Sequence, residues 1–228
     1  MNHKKSLFES SFSDNFKPSL LEKLVIKFEK NRSDVISELI GEASGTLLDL
    51  ACGDGNLLFK NSYKFKNLIG IDISEKRIRN AKSKLRDIKR NTKLFSHDLD
   101  TSIPLESSSV DVAVCEASIG CLVRPESFLK EVHRILKKDG IFIVQIGNYA
   151  FISRRIALLF GTLPKISSFK GFGDGGMLHY FTFNSLKELL IDNHFKILKM
   201  SNSGILSRIR MLLPSILSSD IIYKVARK

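Results

Sequence analysis

The stretch LLDLACGDGNLL, from Leu47 to Leu58, decides the fold. A run of apolar β-formers reaches Asp49, and a turn of small residues follows, made by Ala51, Gly53 and Gly55. Glycine-rich turns after a strand commonly bind phosphate through their backbone N–H groups. This turn carries carboxylates instead, at Asp49 and Asp54, so we expect a ligand without phosphate.

Apolar runs and helical patterns alternate on both sides of this turn. Five runs rich in β-formers predict strands, at residues 45–50, 67–73, 92–98, 110–116 and 140–147. Helical periodicity lies between them, at residues 56–63, 75–89 and 125–138. The strand runs are apolar nearly throughout, which is typical of a parallel sheet covered on both faces. Right-handed crossovers then predict a doubly wound α/β sheet with its ligand crevice at the carboxyl ends of the strands.

The flanking segments follow other patterns. Residues 18–41 predict a helix that has Pro18 in its first turn and ends at Gly41. After Gly147 we expect a helix over residues 148–165, a glycine-rich loop from Gly171 to Gly176 that closes as a lid, and a helix at 185–193. Strands at 195–200 and 220–228 are expected to pair antiparallel at the sheet edge.

We therefore expect one domain in three parts. A helical cap comprises residues 1–44, a cofactor-binding core residues 45–147, and an acceptor-side region with the helices, the lid loop and the edge strands residues 148–228. A chain of 228 residues can bury the core that such a domain needs.

Composition narrows the class of protein. The three cysteines have no C-x-x-C spacing, which predicts no disulfide framework and no metal site, and favours reduced thiols in the cytoplasm. The N-terminal residues lack an apolar core of signal-peptide length, and no apolar run approaches the ~20 residues of a membrane span. The net charge of +12 is compatible with an anionic partner, or with solvated lysine-rich helix faces.

Acidic residues recur at the ends of the predicted strands. Asp72 lies 19 residues after Gly53, a spacing that suits a carboxylate accepting hydrogen bonds from both ribose hydroxyls. Asp98 ends the next strand, where it could accept from an adenine amino group. Three acids around a glycine turn suit an adenosine ligand with a positively charged tail.

Four segments, LLDLACGDG, IGIDIS, SHDLD and EVHRILKKDGIFIV, resemble the class I S-adenosylmethionine-dependent methyltransferases (methyltransferase type 11-like) in order and distance. The resemblance implies S-adenosyl-L-methionine as cofactor and a seven-stranded, mainly parallel sheet with a C-terminal antiparallel hairpin. Ala51 replaces the commoner first glycine of the turn, and we expect φ below zero at Ala51.

The resemblance also implies roles for individual residues. Asp49 and the turn, with Ala51, Gly53 and Gly55, would hold the methionine part. Asp72 would bind the ribose, with Ile73 against the adenine face. Asp98 and Leu99 would meet the adenine edge.

The sequence gives fewer signals for the residues that contact the acceptor of the methyl group. Glu116 ends the fourth strand, where this fold places either substrate-facing residues or a partner for the methionine ammonium group. His179 follows the predicted lid on a predicted strand, and contact with the acceptor or general-base chemistry is expected of it. Cys115 is expected in the core, and strand alternation turns the side chain of His97 away from that of Asp98.

The C-terminal third also faintly resembles the MetW-like branch of the same superfamily. The matching positions are Asn148, Arg154, Arg155, Phe160, Gly161, Pro164, His179 and Thr182. The proline and tryptophan that precede the histidine in that branch are absent, so its role is not carried over.

Three acceptor classes stay open besides a cofactor-binding regulatory partner that transfers no methyl group. A small-molecule acceptor is favoured. A lipid-like acceptor and peripheral membrane contact would suit ISRRIALLF and GILSRIRMLL, which combine arginines with apolar residues as interfacial helices do. RNA would suit the basic stretch at residues 75–93, although that stretch lacks aromatic residues for base stacking.

Overall fold

The computed structural model describes residues 31–164, 176–204 and 207–228. The predicted start of the first helix at Pro18 lies outside these residues, and so does the predicted lid, Gly171–Gly176, except for Gly176. The described strands form one seven-stranded sheet in the order β3-β2-β1-β4-β5-β7-β6. They are β1 (Thr46–Leu50), β2 (Asn67–Asp72), β3 (Asn91–Ser96), β4 (Val110–Glu116), β5 (Leu136–Gly147), β6 (Phe195–Ser201) and β7 (Asp220–Arg227).

The described helices connect and cover these strands. They are α1 (Arg32–Ile40), α2 (Asn56–Asn61), α3 (Glu75–Leu85), α4 (Pro125–Ile135), α5 (Ile152–Leu159), α6 (Phe183–Asp192), α7 (Ser207–Arg210) and α8 (Pro214–Leu217). A short 3₁₀ turn, Ile119–Cys121, follows β4. Within the described residues, no helix has the length and apolar character needed to cross a membrane.

The sheet is doubly wound, as predicted. Strands β1 to β5 pair in parallel, and β7 runs antiparallel between β5 and β6. The predicted C-terminal antiparallel pair is confirmed. Strand order reverses at β1, with β2 on one side and β4 on the other, and ligands of open α/β sheets bind at such a reversal.

Alternation along the buried strands divides the core into two layers. In β1, Leu48 and Leu50 join the layer under α4 and α6, whereas Leu47 joins the layer under α1, α2 and α3. All five residues of β1 are buried, because helices cover both faces of this central strand. Its carboxyl end is thereby fixed from both sides.

Local signals set the helix boundaries. Gly41 ends α1 with φ of +66°, as predicted, and the Ser74 side chain caps α3 by accepting from the Arg77 N–H. Thr182 and Ser185 form a capping box that starts α6.

Several boundaries differ from expectation. The predicted helix over residues 18–41 is interrupted at Asn31, whose extended backbone caps α1, and the predicted helix over 148–165 spans only Ile152–Leu159. In addition, α3 ends at Leu85, and β5 begins at Leu136, directly after α4.

The expected conformation of Ala51 is wrong. Its φ is +65°, in the left-handed region where a Cβ is unfavourable. The turn must reverse sharply between β1 and α2, and the Cys52 N–H is held by the Ile71 carbonyl at 2.9 Å. Tertiary hydrogen bonding therefore imposes on alanine a conformation that glycine adopts without strain.

Replacing Ala51 by glycine should stabilise the protein. Relief of left-handed strain exceeds the added entropy of the unfolded chain, so we expect a gain of up to ~1 kcal/mol in the free energy of unfolding. Denaturant titration of Ala51→Gly measures this gain. Ala157→Gly, in the middle of α5, is the matched control and should lose ~0.5–1 kcal/mol. An equal loss in both variants would contradict the strain at Ala51.

Candidate functional site

A cleft of about 700 Å³ opens at the carboxyl ends of β1, β2, β4 and β5. Three acids at the ends of β1, β2 and β4 line this cleft. Asp72 and Glu116 are the last residues of β2 and β4, and Asp49 is the residue before the last in β1. The loop after β3 adds Asp98 and Leu99. The parallel sheet thus gathers the acids predicted from the sequence at one edge.

The turn after β1 forms one wall of the cleft. Gly53 has φ of +53°, and a Cβ on it would lie 2.7 Å from the Arg77 guanidinium. Its backbone N–H donates to Asp72 Oδ2 at 2.9 Å, which ties the turn to the end of β2. A side chain at Gly53 would therefore disturb both the turn and the carboxylate that it holds.

Gly55 contributes differently from expectation. It has φ of +74° and does not line the cleft. A Cβ there would lie 3.1 Å from Ala81 Cβ in α3, so the missing side chain lets α3 pack closely against the turn.

Asp72 is buried, and its carboxylate accepts hydrogen bonds that use part of its accepting capacity. Its two oxygens accept the backbone N–H groups of Ser74 and Gly53, each at 2.9 Å. Burial raises the pKa of the Asp72 carboxyl, and these two hydrogen bonds oppose the rise. Each oxygen has a second lone pair, and Asp72 lines the cleft, so a ligand with two hydroxyls fits this carboxylate.

Asp49 is the acid of the site whose charge is least compensated by other groups. Its side chain is buried, and within the described ranges no hydrogen bond or ion pair reaches its carboxylate. Burial raises its pKa well above the usual range, and the nearby charges of Glu116 and Asp72 raise it further. A cationic group in the cleft would satisfy this carboxylate.

Glu116 connects the cleft to the N-terminal helix. Its Oε1 lies 2.7 Å from Arg32 Nε, and its Oε2 accepts from the Ser33 hydroxyl at 3.4 Å. Both partners belong to α1 and line the cleft. The first turn of α1 therefore covers the end of β4.

The residues expected to contact the adenine lie at the cleft. Ile73, Asp98 and Leu99 all line the cleft, and Asp98 Oδ1 accepts the Asp100 N–H at 3.1 Å. His97 lines the cleft too, and its Nε2 lies 2.9 Å from the Ser102 carbonyl oxygen, so the direction expected for its side chain stays a prediction. Strand alternation ends with β3 at Ser96, so it does not govern the loop that holds these residues.

His179 lies at the margin of the site. Its backbone N–H donates to the Gly120 carbonyl at 2.9 Å, and it does not line the cleft, although Met177 does. The predicted strand is absent at this point: only Phe181 forms a single bridge, with Asn148. Contact of His179 with an acceptor remains a prediction.

Sequence reasoning missed a polar cluster on the other side of the cleft. Asp220 accepts from the Ser203 N–H at 2.9 Å, from the Ser203 hydroxyl at 2.7 Å and from the Gln145 amide at 3.3 Å. All three residues line the cleft, and so does Arg154. A signal existed, because the first residue of an antiparallel strand lies at the carboxyl edge of its parallel neighbours, here Asp220 opposite Gly147.

Comparison with known proteins agrees with this geometry. Residues 48–144 match the methyltransferase domain family. The chain is 27% identical, over 69% of both chains, to the ubiquinone/menaquinone biosynthesis C-methyltransferase UbiE of Campylobacter jejuni. It is 31% identical to an uncharacterized chloroplastic methyltransferase of Arabidopsis thaliana, At2g41040, over 46% of this chain and 32% of that protein.

Solved structures share the fold. An S-adenosylmethionine-dependent methyltransferase from Mesorhizobium loti superposes with a TM-score of 0.64 at 16% identity, covering 85% of this chain and 96% of that chain. Residues 48–144 thus match a methyltransferase domain, and the chain has the fold of S-adenosylmethionine-dependent methyltransferases. The chain spans between a third and about half of the length of the first curated relatives it matches.

Removing the charge of Asp49 should stabilise the ligand-free protein. Asp49→Asn keeps the shape of the side chain and abolishes repulsion from Glu116 and Asp72, so the melting temperature should rise by at least ~2–4 °C, equivalent to ~1 kcal/mol. The folded pKa is raised above 3.8, so the wild type loses stability relative to the variant as pH rises through the folded pKa. The gain should therefore be largest at neutral pH and vanish in acid.

Asp111→Asn is the matched control. Its carboxylate binds the Thr46 N–H and the Lys137 ammonium, each at 2.8 Å, so this change should lower the melting temperature. Thermal scans of both variants across pH give the comparison. A destabilised Asp49→Asn variant at neutral pH would show that Asp49 already has a stabilising partner.

Proposed function

We propose that the protein transfers the methyl group of S-adenosylmethionine to a small-molecule acceptor. The observation that carries the proposal is Asp49, a buried cleft carboxylate with two further acids nearby and no counter-charge within the described residues. A buried negative charge is costly, and a ligand that is itself positive removes that cost. When bound, S-adenosylmethionine supplies an activated methyl group on a cationic sulfur, together with an ammonium group.

The cofactor-side roles follow from position. Asp49 and the turn at Ala51 and Gly53 would hold the methionine part. Asp72 would accept both ribose hydroxyls, since its backbone hydrogen bonds already fix its orientation. For the adenine, Ile73 and Leu99 would supply apolar contacts and Asp98 an acceptor for the amino group.

On the acceptor side, the chain's residues orient the reacting group and exclude water. Glu116, held by Arg32, would face the methionine end, and the cluster at Asp220 would contact the acceptor. Methyl transfer is an in-line displacement, so alignment matters more than proton transfer. Where the acceptor carries a proton to lose, Asp220 is placed to receive it, and His179 is the predicted second candidate.

The three-part division of the chain is part of the proposal. The hydrogen bond and ion pair from α1 to Glu116 support the described part of the cap, residues 31–44, as a cover over the core at 45–147. Arg154 and Asp220 support residues 148–228 as the acceptor side, because both line the cleft from that region.

A lipid-like acceptor is the second candidate, and one observation favours it. Large apolar side chains are exposed on α5 and just after it, close to where Arg154 meets the cleft, and Leu159 is 81% exposed. A relative that covers 69% of this chain is named for ubiquinone/menaquinone biosynthesis, which suggests an apolar ring compound.

Isotope labelling of the methyl group tests the proposed function. The protein is incubated with a cell extract and S-adenosylmethionine labelled in its methyl group, and small molecules, lipids and RNA are separated and analysed by mass spectrometry. We expect the label in a small molecule or a lipid-like ring compound. Label in RNA alone, or no transfer at all, would contradict the proposal.

Asp72→Asn is the control for that experiment. It keeps one acceptor oxygen but removes the charge, and a charge-assisted hydrogen bond contributes ~1.5–3 kcal/mol, so cofactor affinity should fall at least tenfold. Calorimetry gives the affinity, and Asp111→Asn, away from the cleft, should bind normally. Unchanged affinity in Asp72→Asn would sink the ribose assignment.

His179→Ala tests the predicted acceptor-side histidine. Since His179 does not line the cleft, cofactor affinity should stay within twofold. If His179 contacts the acceptor, turnover with the identified acceptor should fall at least tenfold. Normal turnover would leave its backbone hydrogen bond to Gly120 as its role.

A further inference from the structure

Helix α5 differs from the longer helices of the fold because none of its residues is buried. The other described helices of eight or more residues bury at least three residues each against the sheet. Amphipathic helices of globular proteins normally gain their stability from the face that they bury. A helix with no face buried against the described residues therefore suggests a further partner.

The exposed side chains of α5 are apolar and aligned. Ile152, Ile156 and Leu159 are spaced by four and three residues, which places them on one face of the helix. Phe160 and Leu163 continue the exposed apolar surface beyond the helix, and they are 79% and 73% exposed. Contiguous apolar surface of this kind marks an interaction site.

A second exposed apolar segment leads into α8, which is held at the start of α5. Ile209, Leu212 and Leu213, in and after α7, are all exposed. Asn148, just before α5, donates to the Ser215 and Ser218 carbonyls, at 3.1 Å and 2.8 Å. These hydrogen bonds fix α8, which follows Leu213 directly, to the start of α5.

The charged residues within both segments have one sign. The sequence contains no Asp or Glu from residue 140 to residue 173, and none from 193 to 219. Arg155 is exposed on α5, and Arg210 falls in the second segment. Apolar side chains flanked by arginines, with no acids in the same segments, complement the surface of an anionic lipid bilayer. They suit it better than a protein partner whose surface carries both acidic and basic residues.

We infer that this surface, formed by α5, residues 160–163 and residues 209–213, docks on an anionic phospholipid bilayer. The apolar side chains enter the boundary between headgroups and acyl chains, and the arginines bind lipid phosphates. Arg154 points from the same helix into the cleft, so docking brings the cleft mouth near the bilayer. Docking supports a lipid-like acceptor but needs no methyl transfer, so the proposed function can fail independently of it.

The test is co-sedimentation with vesicles of phosphatidylcholine alone and of phosphatidylcholine mixed with phosphatidylglycerol. We expect binding to the mixed vesicles and little binding to the neutral ones. Leu159→Ser/Phe160→Ser should weaken it at least tenfold, because two large apolar side chains no longer enter the bilayer. Arg155→Glu should weaken it several-fold, and more strongly at low salt.

Matched variants separate docking from general attraction of a basic protein to anionic lipid. Tyr63→Ser/Leu198→Ser removes two apolar side chains exposed elsewhere, and Lys82→Glu makes the same charge change on α3. Both should bind vesicles like the wild type, and all variants should keep normal cofactor affinity. Equal loss in test and control variants, or no vesicle binding, would overturn the inference. Self-association of the wild type that Leu159→Ser/Phe160→Ser abolishes, without vesicle binding, would assign the surface to a second copy instead.

Discussion

Negative charge gathered at one buried edge of a sheet is the constraint on which this structure depends. Parallel strands end together, so Asp49, Asp72 and Glu116 meet in one cleft. Hydrogen bonds from Gly53 and Ser74 satisfy Asp72, and Arg32 satisfies Glu116, but no described residue satisfies Asp49. In the proposed function a positive ligand relieves this repulsion, which would explain why a turn of phosphate-binding type carries carboxylates.

The turn shows that forming the site lowers the stability of the folded protein. Ala51 takes a left-handed conformation, and Asp49 has a raised pKa because it is buried beside other acids. Both features oppose folding, and the two leucine-rich core layers on either side of β1 offset them. Such local costs are typical of functional sites, where geometry for a ligand takes precedence over stability.

The sequence predicted the sheet and the gathering of acids at one edge because both depend on local patterns. Apolar runs located the strands within a few residues, and Asp49, Asp72 and Glu116 lie at or next to the last residue of their strands. The φ of Ala51 was mispredicted because a hydrogen bond from Cys52 to Ile71 sets it. Arg32 and Asp220 were missed since only the tertiary fold brings α1 and β7 to the cleft. Sequence patterns do not indicate which distant segments of the chain the fold brings to the cleft.

The charge of the ligand tests this account most directly. Calorimetric titrations under identical conditions would compare S-adenosylmethionine, adenosine and ATP, which share a nucleoside and differ in the charge of the tail. If Asp49 and its neighbours select a positive tail, S-adenosylmethionine should bind at least tenfold more tightly than adenosine, and ATP more weakly than adenosine. ATP binding more tightly than adenosine would contradict the account, because the turn would then be a phosphate site.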